Sequence, residues 1–117
     1  MWSVETTDLF DAWFDRLDDK DRVNVLASML VLSKKGPMLS RPYADTVKGS
    51  RYPNMKELRI QSKGTPIRAF FAFDPARTAI MLCAGRKSGL GKRFYTEMIP
   101  VADRAYEQHL RRLNNGD

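Results

Sequence analysis

Apolar residues recur at helical spacing over the first third of the chain and alternate at strand spacing over the middle. Leu9, Phe10, Trp13, Phe14 and Leu17 form one helical stripe. Thr7 precedes it as an N-cap, and Asp8 and Asp11 sit in a first turn whose dipole favours acids. Asp18-Asp19 breaks this helix and starts another, where Val23, Leu26, Met29, Leu30 and Ser33 mark one face and Gly36-Pro37 is the stop. The pattern predicts two antiparallel helices joined by a tight turn. Residues 36–55, punctuated by Pro37, Pro42, Gly49 and Pro53, read as irregular.

From Lys56 onward the chain reads as strands over roughly 56–62, 66–73 and 78–85. Lys63-Gly64-Thr65-Pro66 and Asp74-Pro75-Ala76-Arg77 are hairpin-type turns, so these strands are expected as an antiparallel meander. Trp2 to Glu5 is a further short strand candidate. Beyond Gly85, Gly89 and Gly91, Phe94 to Met98 reads as one helical turn. Pro100 then opens a final helix with Ala102, Ala105, Tyr106, His109, Leu110 and Leu113 on one stripe. The result is an α+β fold of order β-αα-βββ-α: a small antiparallel β-sheet, an N-terminal helical hairpin and a C-terminal helix, with the helices on one side. A chain of 117 residues is expected to form one domain over 1–117, loosely ordered only from Asn114 to Asp117.

Charge adds a second layer. Residues 1–33 hold seven acids against three bases, whereas residues 34–95 hold fourteen Lys and Arg against Asp45, Glu57 and Asp74. Segregation of this kind builds a field that concentrates polyanions, which makes RNA or DNA the leading partner class. Met1-Trp2-Ser3 opens no signal peptide and no apolar run is long enough to span a membrane, so a reducing cytoplasm is expected. Cys83, among Ile80, Met81, Leu82 and Ala84, reads as a buried reduced thiol. Phe70, Phe71 and Phe73 read as core rather than as a base-stacking platform.

One His and one Cys give little support to metal chemistry, and His109 reads as a structural or surface residue. No cofactor is expected. Gly85-Arg-Lys-Ser-Gly-Leu-Gly-Lys lacks the spacing of a nucleotide-binding loop, and no serine sits in an elbow-type turn. The remaining chemistry is phosphodiester transfer in RNA, whose 2′-hydroxyl is a built-in nucleophile. A guanidinium inside an apolar strand is costly unless it meets water or an anion. Arg59 and Arg68 are so placed, with Lys56 before the first and Arg86, Lys87, Lys92, Arg93 and Tyr95 around the loop. Arginines and lysines would stabilise the scissile phosphate, and crowded cations would lower the pKa of a Lys or Tyr that moves the proton.

At these residues the chain resembles the RelE/ParE superfamily of bacterial toxins, in its HigB-like, phage-Gp49-related branch. The likeness rests on Val47-Lys48-Gly49-Ser50-Arg51, Asn54-Met55-Lys56-Glu57-Leu58-Arg59, Ile67-Arg68-Ala69-Phe70-Phe71-Ala72-Phe73-Asp74, Lys92-Arg93-Phe94-Tyr95 and Ile99-Pro100-Val101-Ala102-Asp103. The resemblance implies the toxin half of a type II toxin–antitoxin pair, a ribosome-dependent mRNA endonuclease silenced by a helix-turn-helix, HigA-like antitoxin. It implies catalytic roles for Arg59, Arg68, Lys87 and Tyr95, and RNA contacts from Lys56, Arg86, Lys92 and Arg93. Relatives are expected to carry Asp-Lys where this chain has Arg86-Lys87, a departure that would add a cation to the groove and remove a possible acid–base partner. ParE-like members of the same superfamily poison DNA gyrase without catalysis, and an inactive basic nucleic-acid-binding domain is the third reading.

Overall fold

Thr7 ends the first strand and caps the first helix at once. In the computed structural model, which describes residues 1–89 and 91–116, strand β1 (Val4–Thr6) runs into helix α1 (Asp8–Asp15). The Thr7 hydroxyl accepts from the Phe10 amide at 3.1 Å and donates to the Leu82 carbonyl at 2.8 Å. One side chain thus satisfies a helix-start amide and ties it to a strand 75 residues away. Asp18 caps helix α2 (Asp19–Lys35) in the same manner, accepting from the Asp21 amide at 2.9 Å. Gly36 ends α2 at φ 57°, with the Trp2 indole lying where a Cβ would stand.

Strand β2 (Ala44–Thr46) comes next, then β3 (Lys56–Ser62), β4 (Thr65–Phe73), β5 (Ala79–Arg86) and helix α3 (Gly91–Asn114). The sheet order is β1-β5-β4-β3-β2. The three long strands form the expected antiparallel meander, with Arg59 opposite Arg68 and Arg68 opposite Gly85. Its two edges differ from expectation. β1 runs parallel to β5, and β2 arises inside the stretch read as irregular. Three residues among turn formers carry no period, so β2 is set by its ladder to β3 alone.

Helices cover both faces of the sheet, not one. Phe10 of α1 and Val25 and Leu32 of α2 cluster with Leu58, Ile60, Ile67, Ala69, Phe71 and Met81. Ala102, Ala105 and Tyr106 of α3 cluster with Met55, Phe70, Ala72, Ile80 and Leu82 on the other face. β4 and β5 read as near-continuous apolar runs, and such runs are what a strand buried on both faces requires. Phe70 and Phe71 are buried on opposite faces, so they are core as expected.

Two helix readings change as well. α2 turns Asp21, Val25 and Leu32 inward and leaves Val23, Leu26 and Leu30 exposed. The inner line was hidden because it carries a carboxylate, which Ser62, Lys63 and Arg86 engage. α3 passes straight through Pro100 in place of a turn and a separate helix. An interior proline costs about 3 kcal/mol; apolar residues on either side of it, Phe94, Tyr95 and Met98 before and Ala102, Ala105 and Tyr106 after, pack on one cluster and offset that cost. At the C-terminus, α3 ends at Asn114, and the Asn115 amide bonds the Arg111 carbonyl at 3.0 Å. Leu90 of the glycine-rich loop and Asp117 of the tail lie outside the described residues.

Candidate functional site

Strand alternation decides which charged residues meet. Glu57, Arg59 and Arg68 share the sheet face that α3 covers, because Leu58, Ile60, Ile67 and Ala69 point to the other. α3 stops short of covering the whole of this face. Its first turns bring Tyr95 down onto Glu57, and the end of β5 brings Lys87 alongside, its Nζ 5.7 Å from the Tyr95 ring centre. Two glycines make room. Gly85 lies under the Phe94 ring, and at Gly91 a Cβ would overlap the Lys87 side chain.

Glu57, only 3% exposed, sits at the centre of the cluster. Its Oε1 accepts from the Tyr95 hydroxyl at 2.6 Å and its Oε2 from Arg59 Nε at 3.1 Å. Arg59 Nη2 reaches on to Asp45 Oδ2 on β2 at 3.3 Å, and Arg41 places both Nε and Nη2 2.9 Å from that same oxygen. Arg68 donates Nη1 to the Ile67 carbonyl at 3.2 Å, while its buried Nε has no hydrogen-bond partner among the described residues. Lys48 and Lys87 have no carboxylate within ion-pair distance among those residues. A groove of about 430 Å³ runs between Arg41, Lys48, Arg59 and Lys87 over Glu57 and Tyr95. A second hollow of about 360 Å³ continues from Lys48 and Tyr95 to Lys92.

Of the four residues expected to act, Arg59, Lys87 and Tyr95 line the groove, whereas Arg68 lies buried beside Tyr95 and does not; Lys92 borders the adjoining hollow. The other cations do not join them. Arg86 crosses to the α2 face and pairs with Asp21, so the Arg86-Lys87 departure adds no charge to the groove. Arg93 pairs with Glu97 at 3.0 Å on the exposed side of α3, and Lys56 falls on the strand position that alternates away from Glu57. The Tyr95 hydroxyl also differs from expectation. Burial first, and then the Glu57 carboxylate, push it up to about 12, with Arg68 opposing. Desolvation and a neighbouring carboxylate outweigh the cations, so the phenol keeps its proton at neutral pH.

Glu57, Asp45, Arg41 and Lys48 were missed as groove residues by sequence reasoning. An acid alternating with apolar residues in a strand was a usable signal at Glu57. The loop bearing Lys48 is fixed from α3: Asp103 accepts from Ser50 Oγ and, at 3.0 Å, from the Arg51 amide.

A larger cavity of about 580 Å³ lies elsewhere, between β1, the start of α1 and the second half of α3. Its walls mix Glu5 and Asp8 with Arg104 and Arg112, and its one imidazole, His109, is held by Asp74 at 2.7 Å. Asp74 Oδ1 in turn accepts from the Ala76 and Thr78 amides, so this buried pair anchors the β4–β5 turn to α3. Size alone does not make that cavity the site; the excess of donors marks the smaller groove. Cys83 is buried as expected, its thiol pushed up to about 12 by burial. Among the described residues no group of His, Cys, Asp and Glu is placed to hold a metal ion, and no helix is long and apolar enough to cross a membrane.

Residues 12–107 match the family described as phage derived protein Gp49-like. Two proteins of Mycobacterium tuberculosis are similar over most of the chain. One, named "Putative toxin HigB2", is 46% identical over 110 residues, or 93% of this chain, which spans 54% of that protein's length. The other, named "Putative toxin HigB3", is 43% identical over 106 residues, covering 91% of each chain.

Proposed function

The chain belongs to the phage-derived Gp49-like family, in its HigB-like branch, and from that premise we propose that it is the toxin of a type II toxin–antitoxin pair that cuts mRNA on the ribosome. A helix-turn-helix antitoxin is the partner that silences it. One observation carries the ribonuclease reading. Arg59 lines an open groove with Lys87, Tyr95 and a buried carboxylate, and its register partner on the neighbouring strand, Arg68, lies buried beside Tyr95.

In this mechanism the Glu57 carboxylate takes the proton from an RNA 2′-hydroxyl, and that oxygen attacks the adjacent phosphorus. Arg59, from the groove wall, stabilises the charge that builds on the phosphate oxygens, and the buried Arg68 guanidinium adds its field from behind. The bond to the 5′-oxygen breaks, and Tyr95 gives that oxygen its proton. Glu57 then returns a proton to Tyr95 along their 2.6 Å hydrogen bond, so both groups are restored. The products are a 2′,3′-cyclic phosphate and a 5′-hydroxyl. Lys87 and Lys92 hold the flanking strand.

Induced expression in a bacterial host, with primer extension on an abundant message, tests the reading against Arg68→Ala. Growth arrest with new 5′ ends inside translated codons, abolished by the substitution, is the expected result. Arrest with intact transcripts would overturn it and favour a non-catalytic poison.

A further inference from the structure

Asp45 is the one carboxylate in the groove that the cleavage mechanism does not use. Its Oδ2 is approached by three guanidinium nitrogens, two from Arg41 and one from Arg59. A single anionic oxygen shared by two arginines is the arrangement in which guanidinium groups hold phosphate. We propose that Arg41 and Arg59 form a second phosphate site for the strand of RNA, and that Asp45 fills that site until the strand displaces it. This inference rests on the ribonuclease reading and adds where the neighbouring phosphate sits.

Three observations support an exchangeable carboxylate. β2 has holds that do not involve the Asp45–arginine pairs: its ladder to β3 and the Arg59 amide, which bonds the Tyr43 carbonyl at 2.9 Å. The Asp45 side chain is 23% exposed and that of Arg41 73%, so their pair contributes little to the fold and can open at little cost. Glu57, at 4% side-chain exposure, keeps its hold on Arg59 Nε throughout, so Arg59 stays oriented while its other end changes partner. Neighbouring strands lie about 4.8 Å apart, which puts β2 roughly 10 Å across the sheet from β4 and Arg68. A strand crossing the groove from Lys87 and Tyr95 toward Arg41 would present one phosphate to each end.

Fluorescence anisotropy with a 2′-O-methyl RNA hexamer, which cannot be cleaved, measures this directly at two salt concentrations. Asp45→Asn keeps the acceptor used by the Thr46 amide and should bind about 3- to 10-fold tighter, since the competing charge is gone. Arg41→Ala should bind more weakly and lower the salt slope by about 0.7, the value for one phosphate contact on a single strand. In the Arg41→Ala background the gain from Asp45→Asn should shrink. An unchanged or weaker affinity for Asp45→Asn, or a gain that persists in full without Arg41, overturns the proposal. Loss of binding in Arg68→Ala beside an unresponsive Asp45→Asn leaves the ribonuclease reading standing and removes only the second site. No binding by wild type at low salt overturns the second site alone, since cleavage on the ribosome is tested separately by the new 5′ ends in cells.

Discussion

Two buried carboxylates face opposite ways through this sheet, and they have opposite surroundings. Asp21, 2% exposed, lies on the α2 side, where Ser62, Lys63 and Arg86 all reach it. Asn24 and Asp18 complete that knot by binding Ser62 and Lys63. Every charge there has an opposite neighbour. Glu57, 3% exposed, lies on the α3 side beside Tyr95 and Arg59, yet Arg68, Lys48 and Lys87 around it outnumber the acids. The difference teaches that a buried acid is no mark of a site by itself. A surplus of donors left over beside an open groove is the distinguishing feature.

Substitutions can break that contrast. The largest effect should come from Asp21→Ala, which strands Arg86 and opens the knot; removing one partner of a buried pair costs about 3–5 kcal/mol. Denaturant unfolding should show that loss, while the fraction still folded cleaves RNA at the wild-type rate. Loss of cleavage in proportion greater than the loss of folded protein would tie the knot to the groove. Glu57→Gln should behave inversely. It keeps the shape and should lower cleavage by about 10²-fold or more, as for a lost acid–base group, with little change in midpoint. Full cleavage activity by this variant would remove Glu57 from the mechanism.

The smallest effect is a pH dependence. Tyr95 is raised in the folded state from 10 to about 12, so above pH 10 the unfolded chain gives up a proton that the folded chain keeps. Its contribution is fully present below pH 10 and is lost as pH rises through about 12. Because Tyr95 is only partly buried and solvent screens the interaction, the change should be slight. Tyr95→Phe should remove that share of the alkaline loss, and an identical alkaline profile in the variant would show that Glu57 and burial do not hold the phenol up.

The parts of the fold that were legible in the sequence are those where one force dominates. Thr7 before an apolar stripe, Gly36 after one and turn residues between apolar runs each follow from local chemistry. Arg59 and Arg68 stood out because a guanidinium in such a strand needs a reason. Readings failed where partners distant in sequence set the outcome. Asp21 turns inward because Arg86 and Ser62 wait there, and the apolar stripe at Val23, Leu26 and Leu30 misled for the same reason. β2 depends on β3, and the helix through Pro100 depends on packing to either side. Arg86 and Lys87 are adjacent in the chain, but strand alternation divides them between the knot and the groove.

The Thr7–Leu82 hydrogen bond has a meaning in time as well as in space. A growing chain adds about 5–20 residues per second, so roughly 4–15 s separate the synthesis of its two ends. Until β5 arrives, β1 has no strand to pair with and the start of α1 has no anchor in the sheet. Tyr95 follows only 13 residues after Leu82, so the clamp and this part of the groove's lining become available almost together. A partial chain therefore holds arginines without the surface that aims them, and the groove is among the last features to form.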